Sequence, residues 1–194
     1  MTGIIILAAG RSARMGRPKQ QLPYQGSNLL QHSINVALQS PYRPVIVVLG
    51  AFADDIIATI PPKPIDVVIN TQWEEGMASS IRAGIDFLLK DSGVDSAMFM
   101  LCDQPHISSK LLTDIAQKKK QSGKGIVACS YNNTTGVPVL FDQQYFPELL
   151  LLTGQEGAKK ILVAHPNDLT TVSFPLGAVD IDTMDDYEKI NLGG

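Results

Sequence analysis

Short apolar runs alternate with amphipathic helical stretches along this chain, and that alternation limits what it can fold into. Residues 3–8, 45–49, 65–69, 97–101 and 125–129 are apolar and mostly β-branched or small, as buried parallel strands are. Between them Leu30, Ile34, Ala37 and Leu38 recur at helical spacing, as do Ile81, Ile85, Leu88 and Leu89. Leu111, Leu112, Ile115 and Ala116 form another such stripe. Strands alternating with helices predict βαβ units with right-handed crossovers, hence a Rossmann-like α/β/α sandwich around a mostly parallel sheet. At 194 residues, with 44% hydrophobic and 18% charged, the chain suits one such domain over 1–194.

The last third is less regular. Residues 136–141 read as a strand interrupted by Pro138, which predicts an edge or a ligand-facing strand. Thr153 to Glu156 has the spacing of a capping box, with Ala158, Ile161 and Leu162 on one face beyond it. Thr183 to Asp186 is a second candidate cap, for a final helix. Lys118, Lys119 and Lys120 read as a solvated helix end.

The segment after the first strand carries the chemistry. Leu7, Ala8, Ala9 and Gly10 bring small residues to the strand's end, where backbone can approach a ligand closely. Arg11, Arg14, Arg17 and Lys19 follow, so N–H groups and cations converge as a polyphosphate requires. The loop is not a Walker A motif, because Arg17 and Pro18 follow Gly16 where Lys and Ser/Thr would stand. Nor does it spell a dinucleotide fingerprint. Pro18 predicts extended backbone as far as Lys19.

Asp103 closes the fourth run, at a strand's carboxyl end, where open α/β sheets bind ligands. A carboxylate there suits Mg²⁺, which takes one or two carboxylates plus substrate phosphates. Asp180 and Asp182 share one face of an extended segment, and either could supply the second carboxylate. Residues 73–80 join the third run to a helix. Gly76 and Ser80 would let backbone and hydroxyl groups meet a nucleobase; the plainer alternative is a helix start capped by Ser79 or Ser80. His32 and His165 read as structural, and His106 lies near enough to Asp103 to touch substrate. Cys102 and Cys129 sit in apolar runs and read as buried thiols. A net charge of −3 without a basic domain argues against nucleic acid as the main partner. Neither a signal peptide nor a run long enough to span a bilayer is evident, which predicts a cytoplasmic protein.

Taken together these motifs resemble the MobA-like nucleotidyltransferases, most closely the molybdenum cofactor cytidylyltransferase branch. The likeness spans nearly the whole chain. Residues 7–19 resemble the family's signature loop, and Asn70 to Met77 with Ser80 its base-binding segment. Leu101 to Pro105, Gly136 to Val139, Gly154 to Ala158 and Asp180 to Thr183 follow in the family's order. The resemblance implies a fold of the nucleotide-diphospho-sugar transferase type. It also implies transfer of CMP from CTP to the phosphate of molybdopterin, with loss of pyrophosphate and Mg²⁺ as cofactor. Arg14, Lys19 and Asp103 would be catalytic. Leu7, Ala8, Ala9, Gly10, Arg14, Lys19, Gly76, Ser80 and Asp103 would bind nucleotide, and Asp103 with Asp182 or Asp180 would hold metal. Leu7-Ala8-Ala9-Gly10 resembles the cytidylyl members, whereas guanylyl members carry a second glycine at the place of Ala9. GTP remains the alternative base, an apo-molybdoenzyme a possible client, and a non-catalytic cofactor-delivery protein the rival reading. Gln155, Lys159 and Val137 depart from the family pattern on the acceptor side, and Gln21 departs in the first loop.

Overall fold

The computed structural model describes residues 1–192. Its strands are β1 (Thr2–Ala8), β2 (Pro23–Tyr24), β3 (Ser27–Asn28), β4 (Val45–Leu49), β5 (Asp66–Ile69), β6 (Ser96–Leu101), β7 (Ile126–Tyr131), β8 (Thr134–Asp142) and β9 (Leu169–Ser173). Its α-helices are α1 (Leu29–Gln39), α2 (Ala53–Ile57), α3 (Met77–Leu88), α4 (Ser109–Ser122), α5 (Phe146–Leu150), α6 (Lys159–Ala164) and α7 (Met184–Leu192). Seven strands form one sheet in the order β5-β4-β1-β6-β8-β7-β9, and β2 pairs with β3 in a small hairpin. Within the large sheet β8 alone runs antiparallel to its neighbours, β6 and β7.

Period-two alternation builds the layers. Ile4, Ile6 and Ala8 of β1 face one core with Leu30 and Ile34 of α1 and Leu112 and Ile115 of α4. Ile5 and Leu7 face the opposite core with Ile81 and Ile85 of α3, Leu149 of α5 and Ile161 of α6. The result is the expected α/β/α sandwich. A third cluster joins Met15, Leu22, Tyr24 and Leu29 to Ile181, with Met184, Tyr187 and Ile190 of α7 packed against it. It fastens the chain's last helix to the loop that follows its first strand.

Local signals explain most boundaries. Asn28 caps α1, accepting from Gln31 N at 2.8 Å, and Ser108 caps α4, accepting from Leu111 N at 3.2 Å. Gly123 ends α4 in the left-handed region. The Thr183 cap forms reciprocally: Asp186 N donates to Thr183 Oγ1 and Thr183 N to Asp186 Oδ2.

Several expectations fail. Residues 65–69 are not a buried strand: β5 is the sheet's edge, with Val67 37% and Ile69 50% exposed. The Pro138 strand is not an edge, since β8 pairs on both sides. Its ladder with β7 shifts register between Ala128 and Cys129, which oppose Val139 and Gly136, so Pro138 falls in the bulge where no donor is required. Thr153 and Glu156 do bond, at 3.1 and 3.2 Å, but they close a turn, and α6 begins only at Lys159. Of the three consecutive lysines, Lys119 pairs with Asp142 at 2.6 Å instead of standing free in solvent. No helix among the described residues is long and apolar enough to cross a membrane.

Candidate active site

A cleft of about 520 Å³ opens at the carboxyl ends of β1 and β6. Leu7, Ala8, Ala9 and Gly10 line one side, and Trp73, Gly76, Met77 and Ser80 another; Lys19 and Asp103 are also in its lining. The expected nucleotide-binding residues thus meet in one place, except Arg14, which stands outside the lining. Arg14 donates to Asp182 Oδ2 at 2.9 Å, with its side chain 70% exposed. Arg11 lines the cleft instead, a role its sequence neighbourhood did not single out.

The loop leaving β1 is not extended up to Lys19. Ser12 and Gly16, both left-handed, bracket a 3₁₀ turn over Ala13–Met15, and a second turn begins at Lys19. Pro18 keeps extended backbone only between them. Gln20 holds this shape from the inside. Its buried amide donates to Ala8 O at 2.8 Å and Gly10 O at 2.9 Å, while Lys19 N donates to Ser12 Oγ at 3.0 Å. These contacts fix the Lys19 backbone, and Met15 buries into the third cluster below.

The Lys19 ammonium bridges two carboxylates. It lies 2.5 Å from Asp103 Oδ2 and 3.1 Å from Asp182 Oδ1. Burial alone would lower its pKa, but the charge of Asp103 and the hydrogen bonds to both carboxylates outweigh burial and raise it, so Lys19 stays cationic. Asp103 is 9% exposed, and its Oδ1 is buried without a hydrogen-bond partner. Asp180 has its pKa raised by burial and by the neighbouring charges of Asp182 and Asp103. Burial, then the adjacent Asp103, pushes the Cys102 thiol up to about 12, and burial does the same for Cys129; both are inert as nucleophiles at neutral pH.

The wall opposite the loop is built on Asn70. Its side-chain amide donates to Ser79 Oγ at 2.8 Å and Ser80 Oγ at 3.1 Å, and its Oδ1 accepts from Gln72 N. Ser79 and Ser80 are therefore inside α3, and neither is its cap; Gly76 takes that place. Gly76 has φ +113°, and a Cβ there would stand 2.5 Å from Gly154 O. Ala78 N donates to that same oxygen at 3.2 Å, and the next residue, Gln155, joins the cleft lining. Lys159 turns away, to Thr134 Oγ1 at 3.0 Å. His106 is half-buried and outside the cleft lining, His32 bonds Pro105 O, and His165 pairs with Glu148. Gln20 was missed because nothing in a sequence distinguishes a buried, triply bonded glutamine from a solvated one.

The carboxylates suit a hard cation. Among the described residues no three His, Cys, Asp or Glu side chains cluster as a closed metal cage. Two carboxylates, one with an unpartnered oxygen, are the donor set Mg²⁺ uses when phosphates and water complete its shell.

Fold and cleft together define an α/β protein of the nucleotidyltransferase class. The chain belongs to the MobA-like NTP transferase domain family, whose model matches residues 4–169. Among similar proteins, nicotine blue oxidoreductase of Paenarthrobacter nicotinovorans is 29% identical, with 98% of this chain and 96% of that protein aligned. Purine catabolism protein PucB of Bacillus subtilis is 28% identical over 96% and 94%. Molybdenum cofactor cytidylyltransferase of Escherichia coli is 23% identical over 94% and 92%, so the likeness to that branch is weaker than the sequence motifs suggested. The crystal structure of Rv0371c from Mycobacterium tuberculosis superposes with a TM-score of 0.84 at 29% identity, covering 97% of this chain and 96% of that one. A manganese complex of the same protein superposes at 0.80, with 27% identity and the same coverage.

Proposed function

We propose that this protein, with residues 1–194 acting as one domain, transfers CMP from CTP to the terminal phosphate of molybdopterin. A phosphate oxygen of the acceptor forms the new bond to the α-phosphorus, the bond from that phosphorus to the α,β-bridging oxygen breaks, and pyrophosphate leaves with the electron pair. A phosphate monoester is largely dianionic at neutral pH, so the attack needs no general base. Catalysis then rests on positioning and on neutralising charge.

The observation that carries this reading is Lys19 Nζ between Asp103, which lines the cleft with it, and Asp182, which stands outside the lining. A permanently charged ammonium there suits the triphosphate and the departing pyrophosphate. Arg14, outside the cleft lining and paired with Asp182, would add charge to the outer phosphates. The backbone from Leu7 to Gly10 would receive the phosphates, and Gly76 with Ser80 would face the base. Asp103 and Asp182 would hold a divalent cation, Mg²⁺ in this reading, which supplies charge neutralisation at the triphosphate when bound. Asp182 is preferred over Asp180 because it already shares an ammonium with Asp103. A relative that binds manganese supports a divalent ion here.

A second reading keeps the nucleotidyl transfer and changes the acceptor. Lys159 and Gln155 depart from the family pattern on the acceptor side, and the relatives aligned at 28–29% identity bear names from redox and purine metabolism. The test offers CTP, GTP, ATP and UTP separately with Mg²⁺ and molybdopterin, and measures pyrophosphate. Release with CTP above the other three is expected. Release dominated by GTP would move the protein to the guanylyl branch. Nucleotide binding without release would favour a different acceptor or a delivery role.

A further inference from the structure

Gln104 follows Asp103 directly, and its side chain is 4% exposed. Its amide donates to Gly177 O at 2.9 Å. One residue earlier, Asp103 O accepts from Ile181 N at 3.0 Å. Two consecutive residues just beyond β6 therefore dock the segment 177–181, and Asp182, the next residue of that segment, meets Lys19 at 3.1 Å. The turn they grip is tightly seated. A Cβ on Gly177 would stand 2.5 Å from the Phe174 ring and 2.6 Å from the Tyr131 ring, and Gly177 N donates to Phe174 O at 2.8 Å.

Asp182 has other holds, but they are of a different kind. Lys19 and Arg14 both contact its carboxylate. These are the cations that a triphosphate would draw to itself. Once they turn to phosphate, Asp182 is kept beside Asp103 by the docking of its backbone and by the burial of Ile181. The Gln104 carbonyl oxygen, like Asp103 Oδ1 beside it, is buried without a hydrogen-bond partner. Its amide nonetheless spans to the segment that carries the second carboxylate.

We propose that Gln104 is a positioning residue: it fixes the spacing of Asp103 and Asp182 and so sets the protein's affinity for a divalent cation. The inference rests on the reading of those two carboxylates as the metal site. It makes Asp103-Gln104 a paired device, in which one residue supplies a ligand and the next aligns the other.

The test titrates the protein with Mn²⁺, with and without saturating CTP and against a reference of CTP alone, and follows the loss of the free-ion electron paramagnetic resonance signal. Thermal unfolding is recorded in parallel. Gln104→Met keeps length and volume while removing both polar ends. It is expected to weaken Mn²⁺ binding about tenfold, a moderate loss for a group that orients a ligand without being one. The decisive arm is a double-mutant cycle with Asp182→Asn. If Gln104 acts through Asp182, Gln104→Met should have little further effect once Asp182 has lost its charge. A Gln104→Met protein that folds and binds Mn²⁺ like the wild type overturns the proposal, as does an equal loss in both backgrounds. Mn²⁺ binding that survives Asp103→Asn unchanged, or that the wild type lacks, overturns the metal reading itself and this inference with it.

Discussion

The two halves of the sheet solve different problems. From β5 through β4 and β1 to β6 every pair is parallel, and the cores on both faces are continuous with α1, α3 and α4. Here the candidate site joins the backbone of residues 7–10 to the side chains of Lys19 and Asp103, with Gln20 and Asn70 buried behind it. From β8 to β9 the sheet reverses direction, shifts register and returns through short helices. There the chain meets the site through loops: Gln155 joins the cleft lining, and the segment carrying Asp182 reaches Lys19 from outside that lining. The contrast teaches a division of labour. Phosphate chemistry needs donors held to fractions of an ångström, and the proposed function places it on the parallel half. Under the proposed function, acceptor choice can drift with loops, and three of the four departures from the family's pattern, Val137, Gln155 and Lys159, fall in this half, with Gln21 in the other.

Substitutions on the rigid half should separate chemistry from fold. Asp103→Asn is expected to have the largest effect, a loss of about a thousandfold or more in metal-dependent turnover, with residual nucleotide binding through the loop. Steady-state rates against Mg²⁺ concentration would reveal it, and near-normal turnover would remove Asp103 from the centre. Lys19→Ala should cost about two to three orders of magnitude in turnover, the range for losing one preorganised electrostatic contact. Circular dichroism should show an intact fold, since the partners of Lys19 are site carboxylates and not core residues.

Where the halves touch, Gly76→Ala probes the join. The residue's φ of +113° and the 2.5 Å approach to Gly154 O leave no room for a methyl group. Backbone strain of about 1–3 kcal/mol is expected, read as a lower urea midpoint, together with weaker nucleotide binding. Unchanged stability would mean that the 153–157 loop moves freely away from the wall. The smallest expected effect is Ala9→Gly. Removing a methyl group at the end of β1 should shift the ratio of kcat/KM for CTP over GTP toward GTP by about tenfold or somewhat more, the discrimination of a methylene-sized difference. A CTP preference that Ala9→Gly leaves unmoved would place base selection elsewhere on the wall.

The same contrast governs what could be read from the sequence. Strands β1, β4 and β6 are marked by apolar runs, Asp103 by its position just beyond a strand end, and Lys19 by the small residues and cations of the loop after β1. Period and punctuation are local properties, so they survive in one dimension. The edge position of β5 is not local: residues 66–69 look like a buried run, and only the strand order exposes them. Pro138 signals an interrupted ladder, but whether that means an edge or a bulge depends on a partner far along the chain. Strand β9, at residues 169–173, is polar and half-exposed, and no apolar run announces it. Asp182 was legible only as one of two candidates. What distinguishes it from Asp180 is its contact with the ammonium of Lys19, a residue near the opposite end of the sequence.

The central claim is that Lys19, Asp103 and Asp182 form one nucleotidyl-transfer centre. Its most direct measurement follows the α-phosphate itself. CTP labelled at that phosphorus is incubated with Mg²⁺, molybdopterin and either wild-type protein or Lys19→Ala. The account predicts label appearing in a pterin dinucleotide, equimolar with pyrophosphate, for the wild type and almost none for Lys19→Ala. Folded wild-type protein that moves no label from any of the four nucleoside triphosphates, or a Lys19→Ala protein that moves it as fast as the wild type, would contradict it.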